Sequence, residues 1–338
     1  MTGTNTASLE KMKTAIENTL LSLQSWLDEA CNAEMKTMVN HHFGWDQGNQ
    51  GASGKRVRPL LTLLCCQAAG GRWEDALPAA AAVETIHNFS LVHDDIQDQS
   101  DTRRGRPTLW AVWGTAQSIN TGDSLFVLAH MFLDRMQKEY SSPETILTAL
   151  QILNNASLEL TIGQHLDLTF ETRSGVNIDE YYRMIQGKTA SLLAASCQIG
   201  AVLAGVNENQ SLFYQKFGFH LGMAFQLLDD ILGIWGDSGE TGKPTGADIL
   251  SRKKTLPVLL GLRDSVDFAA AWSKPSFSQT DMDTMLQLLN NAGVRETTLE
   301  EAHRHTNLAL ESLTCSGASK ECKIILSDLA ERLLNRQY

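Results

Sequence analysis

The chain has 338 residues, 43% of them hydrophobic, enough for one large domain or two ordinary ones with a sizeable core. Its 39 acidic and 28 basic residues leave a formal net charge of −11, which argues against nucleic acid or an anionic membrane surface as a general partner. An acidic chain that handles anions must gather its positive charge locally.

No linker, low-complexity run or internal repeat divides the sequence. One domain is therefore expected over residues 8–338, after a polar disordered tail at 1–7. No basic-then-apolar leader opens the chain. The longest apolar stretch, 191–206, is interrupted by Gln198 and is too short to span a bilayer. A cytoplasmic protein without stable membrane insertion is expected. Cys31, Cys65, Cys66, Cys197, Cys315 and Cys322 show neither a CxxC pattern nor zinc spacing, and read as free thiols of a reducing compartment.

In chain order, Leu9, Met12, Ile16, Leu20, Leu23 and Leu27 recur at helical spacing. A turn-rich loop at 44–54 leads into Lys55, Arg56, Val57, Arg58 and Pro59, then an apolar helix over 60–69. Cations sit poorly at a helix N-terminus for the helix's own sake, but they make that end a ready anion site. A helix over 74–98, with Pro78 tolerated near its start, runs into LVHDDIQDQSDTRRGRPT at 91–108.

There Asp94 and Asp98 are four apart and face the same way, about 6 Å from each other. Like charges so placed call for a cation, and oxygen ligands select a hard one such as Mg²⁺. Asp95 and Asp101 add to the acidic run. Arg103, Arg104 and Arg106 follow, suited to bidentate phosphate recognition. A diphosphate substrate is the chemical reading; a solvated helix end accounts equally well for one such motif alone. His87 lies two turns before Asp94 on nearly the same face, and His93 adjoins the carboxylates as a supporting residue.

Helices over 123–138, 143–171 and 178–206 follow, the last carrying Lys188 and Thr189 in an apolar setting that demands an anion. The helix over 212–235 contains a second pair, Asp229 and Asp230, within FQLLDDILGIWGD. Leu227, Leu228, Ile231 and Leu232 around them imply burial. A buried carboxylate pair needs a cation or partner, so a solvated face fails here. A Gly-rich loop at 236–248 holds Lys243, Lys253 follows, and further helices complete an all-α chain without a sustained period-two stretch.

At this point the chain resembles the trans-isoprenyl diphosphate synthases, or polyprenyl synthetases. GKRVRP, DDIQD, RRGRPT, GQHLDL, GKTA, FQLLDD, TGKPTGAD and RKKTLP stand in that family's order from residue 54 onward. The resemblance implies one isoprenoid-synthase helical bundle with a central cavity, acting as a homodimer. It implies a prenyl transfer from allylic diphosphates to isopentenyl diphosphate, with three Mg²⁺ ions on Asp94, Asp98 and Asp229. By the same resemblance Lys55, Arg58, His87 and Arg104 hold isopentenyl diphosphate. Asp95, Arg103, Lys188, Thr189, Gln226, Lys243 and Lys253 serve the allylic diphosphate and its departure.

Product length is set by a floor beneath Asp94. Phe89, five residues earlier and about 7–8 Å along the helix, with small Ser90 beside it, resembles the archaeal type of geranylgeranyl diphosphate synthase. Farnesyl and longer-chain synthases are the alternatives. One departure stands out: Gly233 replaces the last aspartate of the family's second DDxxD motif, and Asp237 is over a turn too far to stand in. Three rivals remain: a terpene synthase of the same fold, a phosphohydrolase using His93 and Asp94, and a non-catalytic partner subunit.

Overall fold

A computed structural model describes residues 3–30, 32–47, 54–136, 142–236 and 245–335. Among them, all but a two-stranded ribbon and short turns is helical. The helices divide into two compact units: 1–154 with 195–214 and 316–326, and 155–194 with 215–315 and 327–338. The chain crosses between them several times, so neither unit is a contiguous piece of sequence.

The first unit holds α1 (Gly3–Leu20), α2 (Ser22–Glu29), α3 (Ala33–Phe43), α4 (Val57–Ala68), α5 (Leu77–Gln97) and α6 (Leu109–Met136). Helix α1 begins inside the segment expected as a disordered tail, so that expectation is corrected from Gly3 onward. Helix α5 is central. Pro78 sits in its first turn, and Ala79, Ala80, Ala81, Ala82 and Val83 are all 0% exposed because α1, α4 and α6 pack around it. Between α5 and α6 the sequence RRGRPT forms a ribbon, β1 (Thr102–Arg103) with β2 (Arg106–Pro107). Arg104 and Gly105 turn it with φ of 52° and 73°, both positive as a two-residue hairpin loop requires.

Helix α7 (Pro143–Thr172) and helix α9 (Ser191–Leu203) each contribute to both units. The second unit's α8 (Ile178–Ile185) carries an Asn177–Glu180 capping box and passes into a wider π turn at Gln186–Ala190. Helix α10 (Glu208–Trp235) ends there. It is followed by α11 (Ala247–Leu250), α12 (Leu256–Asp264), α13 (Val266–Trp272), α14 (Gln279–Asn291), α15 (Val294–Cys315) and α16 (Lys320–Asn335), whose first residues belong to unit one. Tyr181, Leu227, Ile234, Val258, Phe268 and Met285 anchor this unit's core.

His305, 5% exposed on α15, joins that packing as a neutral imidazole. Its Nε2 accepts from Arg304 at 3.3 Å, so its Nδ1–H donates to Nδ1 of His220 at 2.9 Å. Burial, Arg304 and His220 push its pKa from 6.5 down to about 4. The unfolded chain takes the proton first, so stability present above pH 6.5 is lost as pH falls toward 4. The share of His305 is on the order of 2 kcal/mol. Urea midpoints at pH 7 and 4.5 should therefore fall further for the wild type than for His305→Gln; equal falls would contradict this account.

Candidate active site

In the first unit, a buried charge network builds one half of the predicted chemistry. Arg56 adopts a left-handed backbone (φ 51°) just before α4 and is 5% exposed. Its guanidinium is held by Glu17 at 2.5 Å and by buried Glu84 at 2.7 Å. Glu84 in turn accepts from Asn88 at 3.2 Å, and Asn88 accepts from His42 at 3.1 Å. Pinning Arg56 inward fixes the segment that carries Lys55, which is exposed, and Arg58.

Arg58 donates to His87 Nε2 at 3.3 Å, which brings two of the predicted isopentenyl-diphosphate residues together. Burial, with Arg58 and Arg104 nearby, holds His87 well below the usual imidazole range. His87 is thus a neutral acceptor orienting Arg58 rather than a cation. Arg58 Nε is buried without a hydrogen-bond partner among the described residues, as a guanidinium awaiting an anion would be. Arg104, at the ribbon's tip, lies so close to Gly54 that a Cβ there would come 2.5 Å from Nη2. Any larger residue at 54 would push the Arg104 guanidinium aside.

The acidic motif divides its labour. Asp95 is 3% exposed and takes Arg103 at 2.8 Å, so it serves the arginine and does not face a cation directly. Asp94 is half-buried and Asp98 exposed; the Asp98 N–H donates to the Asp94 carbonyl at 2.8 Å, keeping them one turn apart. Arg106 departs from the reading of three phosphate-binding arginines. It is committed to Asp46 at 2.7 Å and to the His41 carbonyl, fastening the ribbon to the end of α3. His93 packs on Gly122, on the Phe89 ring at 4.9 Å, and lies 3.5 Å from Asp123. Phe89 also meets Phe126 edge-on at 5.2 Å, while Ser90 turns its hydroxyl to the His87 carbonyl.

The second unit repeats the division. Asp230 is sealed inside (3% exposed) and accepts from Tyr181 at 2.5 Å, Gln226 at 3.0 Å and the Leu256 N–H at 3.2 Å. Burial outweighs these bonds and lifts its pKa from 3.8 to about 7. Its partner is therefore a protein network, while Asp229 beside it is only half-buried. Thr189 donates to Gln226 at 2.7 Å, joining both predicted allylic-side residues to the same chain of bonds.

Lys188 and Thr189 ride on the π turn. Gly163 of α7 allows it to approach: a Cβ there would come 2.8 Å from the Lys188 Cα. Lys188 is ion-paired with Asp167. Of the three cations in RKK, Arg252 is spent on the Trp272 carbonyl and the Phe277 ring, and Lys254 on the carbonyls ending α7. Lys253 alone faces the acidic group. Burial pulls its pKa down, but Asp167, Asp248, Asp230 and Asp229 overcome that and hold it above the usual lysine range. Lys243, like Asp237 and Cys31, lies outside the described residues.

Among the described residues no three His, Cys, Asp or Glu side chains converge as a cage. Oxygen donors offered one or two at a time fit Mg²⁺, which keeps most of its shell for water and phosphate oxygens. No described helix is long and apolar enough to cross a membrane. Sequence reasoning missed Glu84 and Tyr181. The rule that exposed the Asp229 pair, a carboxylate in an apolar helix, applies equally to Glu84; nothing in the sequence marks Tyr181.

A profile of the polyprenyl synthetase family matches residues 47–289. The chain is 38% identical over 315 residues to a (2E,6E)-farnesyl diphosphate synthase of Mycobacterium bovis, covering 90% of this chain and 86% of that one. It is 39% identical over 274 residues to a geranylgeranyl diphosphate synthase of Mycobacterium tuberculosis, covering 78% and 77%. A crystal structure of a polyprenyl synthetase from Streptomyces coelicolor superposes with a TM-score of 0.88 at 38% identity, over 97% of this chain and 99% of that one. Arginine-rich and lysine-bearing acidic groups on an all-helical frame thus coincide with likeness along nearly the whole chain. The chain belongs to the polyprenyl synthetase family, the Mg²⁺-dependent trans-isoprenyl diphosphate synthases, and is a prenyltransferase that joins isopentenyl diphosphate head to tail with allylic diphosphates.

Proposed function

We propose that the product is all-trans geranylgeranyl diphosphate, made in the cytoplasm by a homodimer. The observation that carries the product length is the bracing of Phe89 by Phe126 and His93 on α5. An aromatic ring so held cannot swing aside as the chain lengthens, and Ser90 beside it leaves room above. The relatives are named for farnesyl, geranylgeranyl and longer products, so local geometry carries the choice.

In this reading Lys55, Arg58 and Arg104 hold isopentenyl diphosphate, with His87 orienting Arg58. Arg103, Lys188, Lys243 and Lys253 hold the allylic diphosphate as it leaves, and Thr189 and Gln226 line its side. Asp94, Asp98 and Asp229 would hold the Mg²⁺ ions, three in number, which when bound stabilise negative charge on the leaving diphosphate. Asp95 acts through Arg103. Apolar helix walls keep water from the allylic cation. The proton lost after bond formation goes to the departed diphosphate, so no protein base is required.

Two rivals lose ground. His93 is engaged with Gly122, Phe89 and Asp123, which disfavours a His-Asp phosphohydrolase centre. The contact between Arg58 and His87 has no purpose in a terpene synthase, which uses no isopentenyl diphosphate. The homodimer reading is supported by Ile119 and Val127, exposed at 41% and 59% and eight residues apart on α6 beyond the non-helical Gly114.

Incubation with Mg²⁺, isopentenyl diphosphate and each allylic diphosphate, with products sized by mass spectrometry, should give a linear twenty-carbon diphosphate. Phe89→Ala should shift the product to longer chains; an unchanged distribution would remove Phe89 as the floor. Light scattering should give twice the mass of one chain, and Ile119→Asp with Val127→Asp should halve it. A monomeric wild type would end the dimer assignment.

A further inference from the structure

The ribbon that carries Arg103 and Arg104 is too short to hold itself. Each strand has two residues, with Thr102 opposite Pro107 and Arg103 opposite Arg106. An isolated two-stranded hairpin is marginally stable at best in water. Its tip is also placed against electrostatics. Burial holds the Arg58 guanidinium below its ordinary range, and the charge of Arg104 adds to this against the pull of Glu84. Arg104 is itself held down by burial, with Arg56 and Arg103 adding to it. Cations gathered before any anion arrives repel one another, so the tip must be fastened from elsewhere.

The cross-strand pair supplies the fastenings. Arg103 is held by Asp95 of α5 at 2.8 Å. Arg106 turns to the end of α3: its Nη2 donates to both Asp46 oxygens, at 2.8 and 2.7 Å, and its Nη1 to the His41 carbonyl at 3.0 Å. His41 grips the same strand through its ring. Its Nε2–H donates to the Pro107 carbonyl at 2.9 Å, and its Nδ1 accepts from Arg106 at 3.1 Å. At the base, Thr108 and Trp110 both donate to the Ser100 carbonyl at 2.9 Å. The two-residue turn between these anchors carries Arg104, whose guanidinium lies against Gly54, next to Lys55. With Asp46 exposed, its pair with Arg106 adds little to stability; what it fixes is position. His41 and Asp46 precede the family-like motifs, which begin at residue 54, so no motif marks them.

We propose that Asp46, Arg106 and His41 form a clamp that positions Arg104 for isopentenyl diphosphate. The clamp holds the ribbon tip among its like charges before substrate binds, and so sets the affinity for that substrate. The allylic side is spared, because Arg103 has its own anchor in Asp95. This rests on the assignment of Arg104 to isopentenyl diphosphate.

The test is steady-state kinetics on the full chain, each substrate varied in turn at saturating partner and Mg²⁺. Arg106→Gln and Asp46→Asn should each raise KM for isopentenyl diphosphate about ten-fold. KM for the allylic diphosphate and kcat should stay within about two-fold of the wild type. The double variant should be no worse than the worse single one, since both break one clamp. A wild-type KM for isopentenyl diphosphate, additive losses, or an equal rise for both substrates would overturn the proposal. Should Arg106→Gln fail to fold, Asp46→Asn at the exposed partner decides: a selective rise supports the clamp, and a wild-type value refutes it. Arg104→Gln is the control. Unless it too raises that KM, the placement of Arg104 at isopentenyl diphosphate fails, whatever the clamp variants do.

Discussion

A carboxylate inside a helical core is tolerated only when its charge is answered, and that constraint organises both acidic motifs. Each presents two adjacent aspartates a hundred degrees apart around the helix. They cannot both face a solvent-filled site. In α10 the inward one, Asp230, is met by the Tyr181 hydroxyl, the Gln226 amide and the Leu256 N–H. In α5 the inward one, Asp95, is met by Arg103. The outward members, Asp94 and Asp229, remain half-buried. Burying one carboxylate per pair fixes the rotation of the helix and so aims the other.

The same economy governs the cations. Arg56, Arg104 and Arg252 all occupy the left-handed region that a bulky side chain avoids. Arg56 and Arg252 have anchored guanidiniums that fix the backbone, Arg56 by two carboxylates and Arg252 by carbonyls and an aromatic ring. Each strained residue lies next to one with a predicted role at the diphosphates: Lys55 beside Arg56, Arg103 beside Arg104, Lys253 beside Arg252. Strain offset by an inward anchor leaves the neighbour aimed elsewhere.

This is also where sequence reading reaches its limit. The helices α5 and α10 were legible because their apolar periodicity is strong and a carboxylate pair inside it has no bland explanation. The ribbon at Thr102–Pro107 was not, since two-residue strands leave no period to detect. Nor could the residues alone sort the three consecutive cations in RKK, where the family's order singled out Lys253. Their side chains diverge only once the chain turns at Arg252, and the carbonyls that claim Arg252 and Lys254 lie on remote segments. The π turn that presents Lys188 was hidden for a similar reason: GKTA fits a regular helix, and the close approach of Gly187 to Gly163 joins segments remote in sequence.

A motif written as a string treats each letter as a local requirement, whereas a cation responds to oxygen atoms wherever they originate. A glycine at the fifth position of DDILG reads as a loss in the string. In space it is a clearance, and the chain fifteen residues on uses it. Any residue larger than glycine at 233 requires the Asp248 side chain to move from where it lies here.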